Sequence, residues 1–249
     1  MEQVDPTRGG GLLVVTPTYD ERENLQGFVQ DVLGNLPDAH VLVVDDASPD
    51  GTGELADQIA RADGRVHVLH RPAKLGLGTA YIDGFQWALQ RAFRYVAEMD
   101  ADRSHSGADL LKLFGAALNG AEVALGSRNV PGGGVLGWGL LRHVLSKGGS
   151  LYARKLLGVP VRDMTTGFKV YTRAALLAIE SETLRSNGYT FQIETTYRAL
   201  QRGLLVVEVP ILFVDRRVGR SKMSREIFQE AIIEVPRLRL ARLLGRLVV

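Results

Sequence analysis

The sequence predicts an α/β domain built on one mostly parallel sheet, with helices covering both faces. Three observations predict it. The first apolar run, Leu12-Leu13-Val14-Val15-Thr16, is hydrophobic on both faces, as a strand buried between two helical layers must be. Short strand-like runs then alternate with stretches whose apolar residues recur at helical spacing, through the first hundred residues. The polar clusters at residues 17–24, 45–52 and 100–105 all follow strands, so they share one edge of the sheet. In open parallel sheets that carboxyl edge is where ligands bind.

The elements follow in order. After a Gly-rich, flexible tail over residues 1–11, the first strand runs into a polar turn at 17–24. Leu25, Phe28, Val29, Val32, Leu33 and Leu36 mark a helix. Residues 41–44 form the next strand, and a helix carrying Leu55, Ile59 and Ala60 follows. Residues 66–69 are a third strand, and the loop 71–78 leads to a helix through Ala80, Phe85, Trp87, Ala88 and Leu89. The fourth strand ends at Asp100. A helix with Leu110, Leu113, Phe114 and Ala117 comes next, then a strand at 122–125. A flexible Gly-rich loop covers 131–139, and a helix covers 140–157. A strand of about four residues follows Lys169, and residues 190–200 are helical. Residues 204–214 read as one strand, which Pro210 confines to an edge or a bulge. The basic stretch 215–222 closes the domain. The simplest division is a tail at 1–11, one domain at 12–225 and a C-terminal amphipathic helical appendage at 226–249.

Composition excludes several classes. With 249 residues and 45% hydrophobic content, the chain can bury one large core. A net charge of +2 is too small to argue for nucleic acid. There is no Cys, which excludes disulfides, thiolate catalysis and Cys zinc sites. The opening residues lack a basic region followed by an apolar run, so no signal peptide is expected. No run of about 18 apolar residues occurs, so no membrane span is expected either, and the protein is read as soluble or peripheral on a membrane.

The chemistry centres on Asp100-Ala101-Asp102. Strand side chains alternate, so the two carboxylates share a side if the chain stays extended there. Close like charges repel and resist burial, and a hard divalent cation such as Mg2+ or Mn2+ removes both difficulties. Such cations complete their shells with phosphate oxygens, so the pair points to a diphosphate site. By itself the pair also reads as an Asp-rich turn after a strand.

Several motifs coincide with it: Pro17-Thr18-Tyr19-Asp20-Glu21, Val44-Asp45-Asp46-Ala47-Ser48-Pro49-Asp50-Gly51-Thr52, Gly76-Leu77-Gly78, Gly126-Ser127-Arg128, Thr166-Gly167-Phe168-Lys169, and Arg216 to Lys222. Together they resemble family-2 glycosyltransferases of the GT-A (Rossmann-like) fold, and within them the polyprenol-phosphate (dolichol-phosphate) mannose synthases. The resemblance runs from about residue 12 to about residue 222. It implies a metal-dependent, inverting transfer of mannose from GDP-mannose to a polyprenyl phosphate. Pro17, Tyr19, Glu21, Val44 and Asp46 match the nucleoside contacts, with Ala101 beside the diphosphate. Asp100, Asp102 and Ser104 match the metal site, where Ser104 is a weaker ligand than the Gln of some relatives. Arg128, Arg216 and Lys222 match cations around the phosphates, and Asp102, Arg128 and Arg216 are the residues expected to act in catalysis. Arg142 and Ser146 match contacts to the acceptor phosphate. His105 is given no role.

An acceptor phosphate is already ionised near neutral pH, so it needs no general base, and catalysis reduces to positioning and charge stabilisation. The expected setting is the cytoplasmic face of a membrane. The C-terminal leucines Leu240, Leu243, Leu244 and Leu247 and the arginines Arg239, Arg242 and Arg246 suit a helix lying in the headgroup region. The same leucines could instead dock on the domain or on a separate membrane-embedded protein. The alternatives kept are a UDP-glucose-dependent polyprenyl-phosphate glucosyltransferase and a non-catalytic nucleotide-binding subunit. A dinucleotide-binding oxidoreductase is disfavoured, because no Gly-x-Gly-x-x-Gly follows the first strand.

Overall fold

The structure is a computed structural model that describes residues 9–184, 188–215 and 234–240. Strand β1 (Leu12–Thr18) lies near the middle of a seven-stranded sheet. It pairs in parallel with β2 (His40–Asp45) on one side and β4 (Tyr95–Glu98) on the other, and β3 (Val66–His70) adds in parallel to β2. The two-residue alternation of β1 sorts its side chains into two layers. Leu12 and Val14 join a core with Phe28 and Val32 of α1 (Arg22–Asn35) and with Leu110 and Phe114 of α4 (Gly107–Leu118). Leu13 and Val15 join a second core with Tyr81 and Phe85 of α3 (Leu77–Leu89). The latter contact is close: a Cβ built on Gly84 would lie 2.3 Å from Val15 Cγ1, so only glycine lets α3 approach β1 this tightly. Helix α2 (Thr52–Ala62) links β2 to β3.

The full strand order is β3-β2-β1-β4-β7-β5-β8. Here β7 (Lys169–Thr172) is antiparallel to both β4 and β5 (Val123–Ser127), and β8 (Val206–Pro210) is parallel to β5. The sheet is thus mostly parallel, with helices on both faces. Helix α7 (Gly188–Gln201) contributes Phe191 to the second core, while α5 (Leu140–Leu157) and α6 (Arg173–Ala178) complete the cover.

Three details correct the sequence reading. Residues 204–214 are two strands: β8 ends at Pro210, on the sheet edge where its missing N–H costs nothing, and β9 (Leu212–Val214) leaves the sheet. The Gly-rich stretch at 131–139 is not all loop, because β6 (Gly134–Leu136) pairs in parallel with β9 as a separate ribbon. Strand β4 ends at Glu98, two residues before Asp100. In addition, residues 9–11 form a packed turn, with Gly9 buried against Leu36 and Ala39.

Residues 234–240 are helical. Val235 is buried with Ala153, Leu157 and Tyr197, Leu238 packs beside it, and Arg239 Nη1 donates to the Leu156 carbonyl. Leu240 is exposed. The remaining residues of the predicted amphipathic helix, including Arg242, Leu243, Leu244, Arg246 and Leu247, lie outside the described residues. No helix among the described residues is long and apolar enough to cross a membrane.

Candidate active site at the carboxyl edge of the sheet

The loops after β1, β2 and β4 meet at one edge. Register sets Pro17 beside Val44 and Thr18 beside Asp45, and the Asp46 amide donates to the Thr18 carbonyl at 3.0 Å. Each of these loops turns through a non-glycine residue in the left-handed region: Asp20 (φ 58°), Ala47 (φ 54°) and Arg103 (φ 60°). Such residues are uncommon, and three at one edge mark a place where geometry is held against local preference.

Asp45 shapes its own loop. Its carboxylate accepts from the Thr18 hydroxyl at 2.9 Å and from the Ser48 hydroxyl and amide at 2.6 and 3.1 Å. Asp50 accepts from the Thr52 amide at the start of α2 and from the Arg22 amide at the start of α1, tying the two loops together. Glu21 takes the Asn24 amide at 2.8 Å, and its own N–H reaches Thr52 Oγ1.

Asp46 is a buried hub. One oxygen receives Arg71 Nη1 at 2.5 Å, and the other receives the Leu75 and Gly76 amides at 3.2 and 3.1 Å. Arg71 also pairs with Asp83 and Thr79. Asp46 therefore folds the 71–78 loop onto the site, a duty the sequence did not reveal. Asp45 holds the turn after β2, and Asp50 accepts the Thr52 amide at the start of α2. The folded loop carries Lys74 over the half-buried Tyr19 ring, with Nζ 3.8 Å from the centroid, a cation–π contact.

The Asp100-Ala101-Asp102 loop is not extended. After Glu98 the chain turns, and Asp102 Oδ1 accepts the Ser104 amide at 3.0 Å. Strand alternation therefore does not pair Asp100 with Asp102; the turn sets their directions. Asp100 Oδ1 accepts the hydroxyl of the buried Tyr81 at 2.8 Å. Ala101 points its methyl into the core cluster with Met99, leaving only its backbone for a ligand. His105 is buried against Phe168 and Phe213, at ring distances of 4.4 and 5.2 Å. Burial lowers its pKa to about 4, so it packs as a neutral ring at neutral pH.

Beneath this loop lies a polar network that sequence reasoning missed. Glu98 and Lys169 form a fully buried ion pair at 2.9 Å. Tyr171 and Gln192 donate to Glu98, while Lys169 donates to the Gln192 carbonyl and to Thr195. Burial is the largest influence on Lys169 and lowers its pKa against the raising effect of Glu98. The available signal was one charged residue in each of two apolar strands, which must pair if both strands are internal.

Arg128 follows β5. Its guanidinium binds Asp163 with two bonds of 2.7 Å, and its amide donates to the same carboxylate. The carbon of this guanidinium lies 5.6 Å from the Trp138 ring and 5.7 Å from that of Phe213. Its partner Asp163, fully buried, also escaped the sequence reading. Ser146 lies partly buried on α5; Arg142 belongs to the same helix, and its side chain is outside the description. Arg216 and Lys222 lie outside the described residues.

The donors fit a hard cation. Asp100 and Asp102 supply carboxylate oxygens, and the Ser104 hydroxyl is buried with no hydrogen-bond partner. Among the described residues no cluster of three or more His, Asp or Glu side chains is placed to hold a metal ion, so a cation here would draw much of its shell from phosphate and water.

A mostly parallel sheet with helices on both faces, whose carboxyl edge carries an Asp-x-Asp turn, has the architecture of a glycosyltransferase of the GT-A class. The comparisons agree. The chain belongs to the family described as glycosyl transferase family 2, whose model matches residues 13–179. It is 51% identical to a polyprenol monophosphomannose synthase of Mycolicibacterium smegmatis, over 90% of this chain and 84% of that protein. It is 46% identical to an undecaprenyl-phosphate mannosyltransferase of Micrococcus luteus, over 92% of this chain and 94% of that protein. Among solved structures it resembles glucosyl-3-phosphoglycerate synthase from Mycobacterium tuberculosis, in complex with Mn2+, UDP and glucosyl-3-phosphoglycerate. The TM-score is 0.64 at 20% identity, covering 97% of this chain and 81% of that one. At that identity the likeness shows the fold.

Proposed function

We propose that the chain transfers mannose from GDP-mannose to a polyprenyl phosphate, giving a β-linked polyprenyl monophosphomannose. The observation that carries this reading is the 51% identity to a polyprenol monophosphomannose synthase across 90% of the chain. The acceptor phosphate oxygen attacks the anomeric carbon, the bond from that carbon to the diphosphate breaks, and GDP leaves with the electron pair. The geometry inverts in this single displacement.

The chain's own residues position the reactants. Tyr19 and the Val44 backbone border the nucleoside, with Pro17 and Glu21 shaping the turn around it, while Asp46 and Arg71 hold the 71–78 loop closed beside it. Asp100, Asp102 and Ser104 would hold Mg2+ or Mn2+ with the Ala101 backbone alongside. A bound cation supplies charge neutralisation for the leaving diphosphate. Arg128, Arg216 and Lys222 add positive charge to the same region, and Arg142 and Ser146 on α5 receive the acceptor phosphate. The test is to incubate purified protein with polyprenyl phosphate and either cation, offering GDP-mannose or UDP-glucose, and to identify the lipid product. A mannolipid from GDP-mannose alone supports the reading; a glucolipid from UDP-glucose, or no lipid product, overturns it.

The acceptor implies work at a membrane surface, on the cytoplasmic side. In support, α5 exposes Val144, Leu145, Leu151 and Tyr152 on the helix that carries Ser146, and Lys147 and Lys155 are exposed on the same helix. Leu240 is exposed on the helix docked against it. Removing residues 237–249 should weaken binding to anionic vesicles and slow transfer to long-chain acceptors, with transfer to a short water-soluble acceptor nearly unchanged. Equal loss of both reactions would identify the segment as core packing.

A further inference from the structure

We propose that Tyr81 is a positioning residue that fixes the Asp100 carboxylate for the divalent cation. The inference rests on the reading of Asp100 as a metal ligand and extends it to a residue on a different element. Tyr81 is fully buried near the start of α3, in the core layer formed with Leu13 and Val15. Its hydroxyl donates to Asp100 Oδ1 at 2.8 Å. Its ring has little freedom to move. It stacks on Phe191 of α7 (5.9 Å, 7° between planes) and lies against Phe85 (6.1 Å).

The hydrogen bond and the packing act together. Tyr81 binds one oxygen of Asp100, and because its ring is clamped, the bond holds that oxygen in place. The other oxygen, Oδ2, lies on the side of Gly167, where a built Cβ would come within 4.0 Å of it and within 3.2 Å of Gln192 Nε2. Asp100 follows a strand that ends two residues earlier, so β4 alone does not hold its side chain. The rigid donor adds a constraint from α3. A phenol hydroxyl is protonated near neutral pH, so it donates this bond. Partners of this kind, hydrogen-bonded to a metal's carboxylate ligand, commonly affect affinity by about 10–100-fold when removed.

The experiment compares Mn2+ binding, read by electron paramagnetic resonance with GDP present, in the wild type and in Tyr81→Phe, Phe191→Leu and Asp100→Asn. Phe keeps the ring and deletes only the donor. Tyr81→Phe should weaken Mn2+ about tenfold while leaving the apparent KM for polyprenyl phosphate unchanged. Phe191→Leu loosens the same packing but keeps the hydroxyl, and should lose far less affinity at a matched loss of thermal stability. If Phe191→Leu weakens Mn2+ as much as Tyr81→Phe, the effect is general packing and the proposal is overturned. If Tyr81→Phe binds Mn2+ as the wild type does while Asp100→Asn does not, Tyr81 has no positioning role although Asp100 remains a ligand. If Asp100→Asn also binds normally, the metal reading itself fails. A second probe keeps the hydroxyl and the fold: 3-fluorotyrosine placed at position 81 should show its fluorine resonance broadened by Mn2+ with GDP. A resonance left sharp by Mn2+ would separate Tyr81 from the metal and overturn the proposal.

Discussion

The Nζ of Lys169 lies 2.9 Å from Oε1 of Glu98, and neither side chain has any exposure to solvent. The register of β4 against β7 sets these two residues side by side. Glu98, Asp100 and Asp102 bring three carboxylates into five residues, and Lys169 is the buried counter-charge to the first of them. Removing one member of such a pair leaves the other uncompensated in the core. Lys169→Met should therefore cost about 3–5 kcal/mol in urea denaturation. The double change Glu98→Gln with Lys169→Met should recover most of that loss, since two neutral groups replace a broken ion pair.

Asp102→Asn keeps the shape of the side chain and removes its charge. Turnover should fall at least tenfold, and Mn2+ affinity should fall with it. The unfolding midpoint should stay near that of the wild type. Wild-type turnover with an unchanged metal requirement would remove Asp102 from the ligand set.

Arg142→Ala should raise the apparent KM for the lipid phosphate several-fold, by loss of a charge-assisted contact, and leave that for GDP-mannose nearly unchanged. Titrating each substrate at saturation of the other separates the two. A change confined to the donor would move Arg142 to the other half of the site.

The pair of Arg128 and Asp163 predicts an acid-sensitive contribution to stability. Burial acts to raise the Asp163 pKa, but the charge and hydrogen bonds of Arg128 outweigh it and hold the value below the usual carboxylate range. A carboxyl with a lowered folded-state pKa contributes stability that is complete above its unfolded value of about 4 and is lost as pH falls through the folded value. Asp163→Asn should therefore cost about 3–5 kcal/mol near neutral pH. The difference from wild type should shrink in strong acid, measured by denaturation across that range. A difference that stays constant with pH would show that the cost is steric.

Gly84→Ala should destabilise despite the better helix propensity of alanine. The new Cβ would meet Val15 Cγ1 at 2.3 Å. Overpacking of about 1–3 kcal/mol outweighs a propensity gain of up to about 1 kcal/mol. Pairing it with Val15→Ala should restore part of the loss, because the colliding methyls are removed.

The sequence by itself determined the parallel core and the edge that carries the site. The run Leu12–Thr18, buried on both faces, and the helical spacing in the intervening segments are local patterns, and each follows from residues close together in the chain. The motif order likewise placed Tyr19, Asp46 and Asp100 on one edge. What only the tertiary structure decided is what each side chain holds. Asp46 is committed to Arg71 and the Gly76 loop, Arg128 to Asp163, Glu98 to Lys169, and Asp100 to Tyr81. The antiparallel β7 and the β6–β9 ribbon belong to the same category. The side-chain partners are 19 to 71 residues apart in the chain, from Tyr81 and Asp100 to Glu98 and Lys169. Local patterns are blind to them: a polar residue's need for a partner is written in the sequence, but which partner satisfies it depends on which strands and helices pack together.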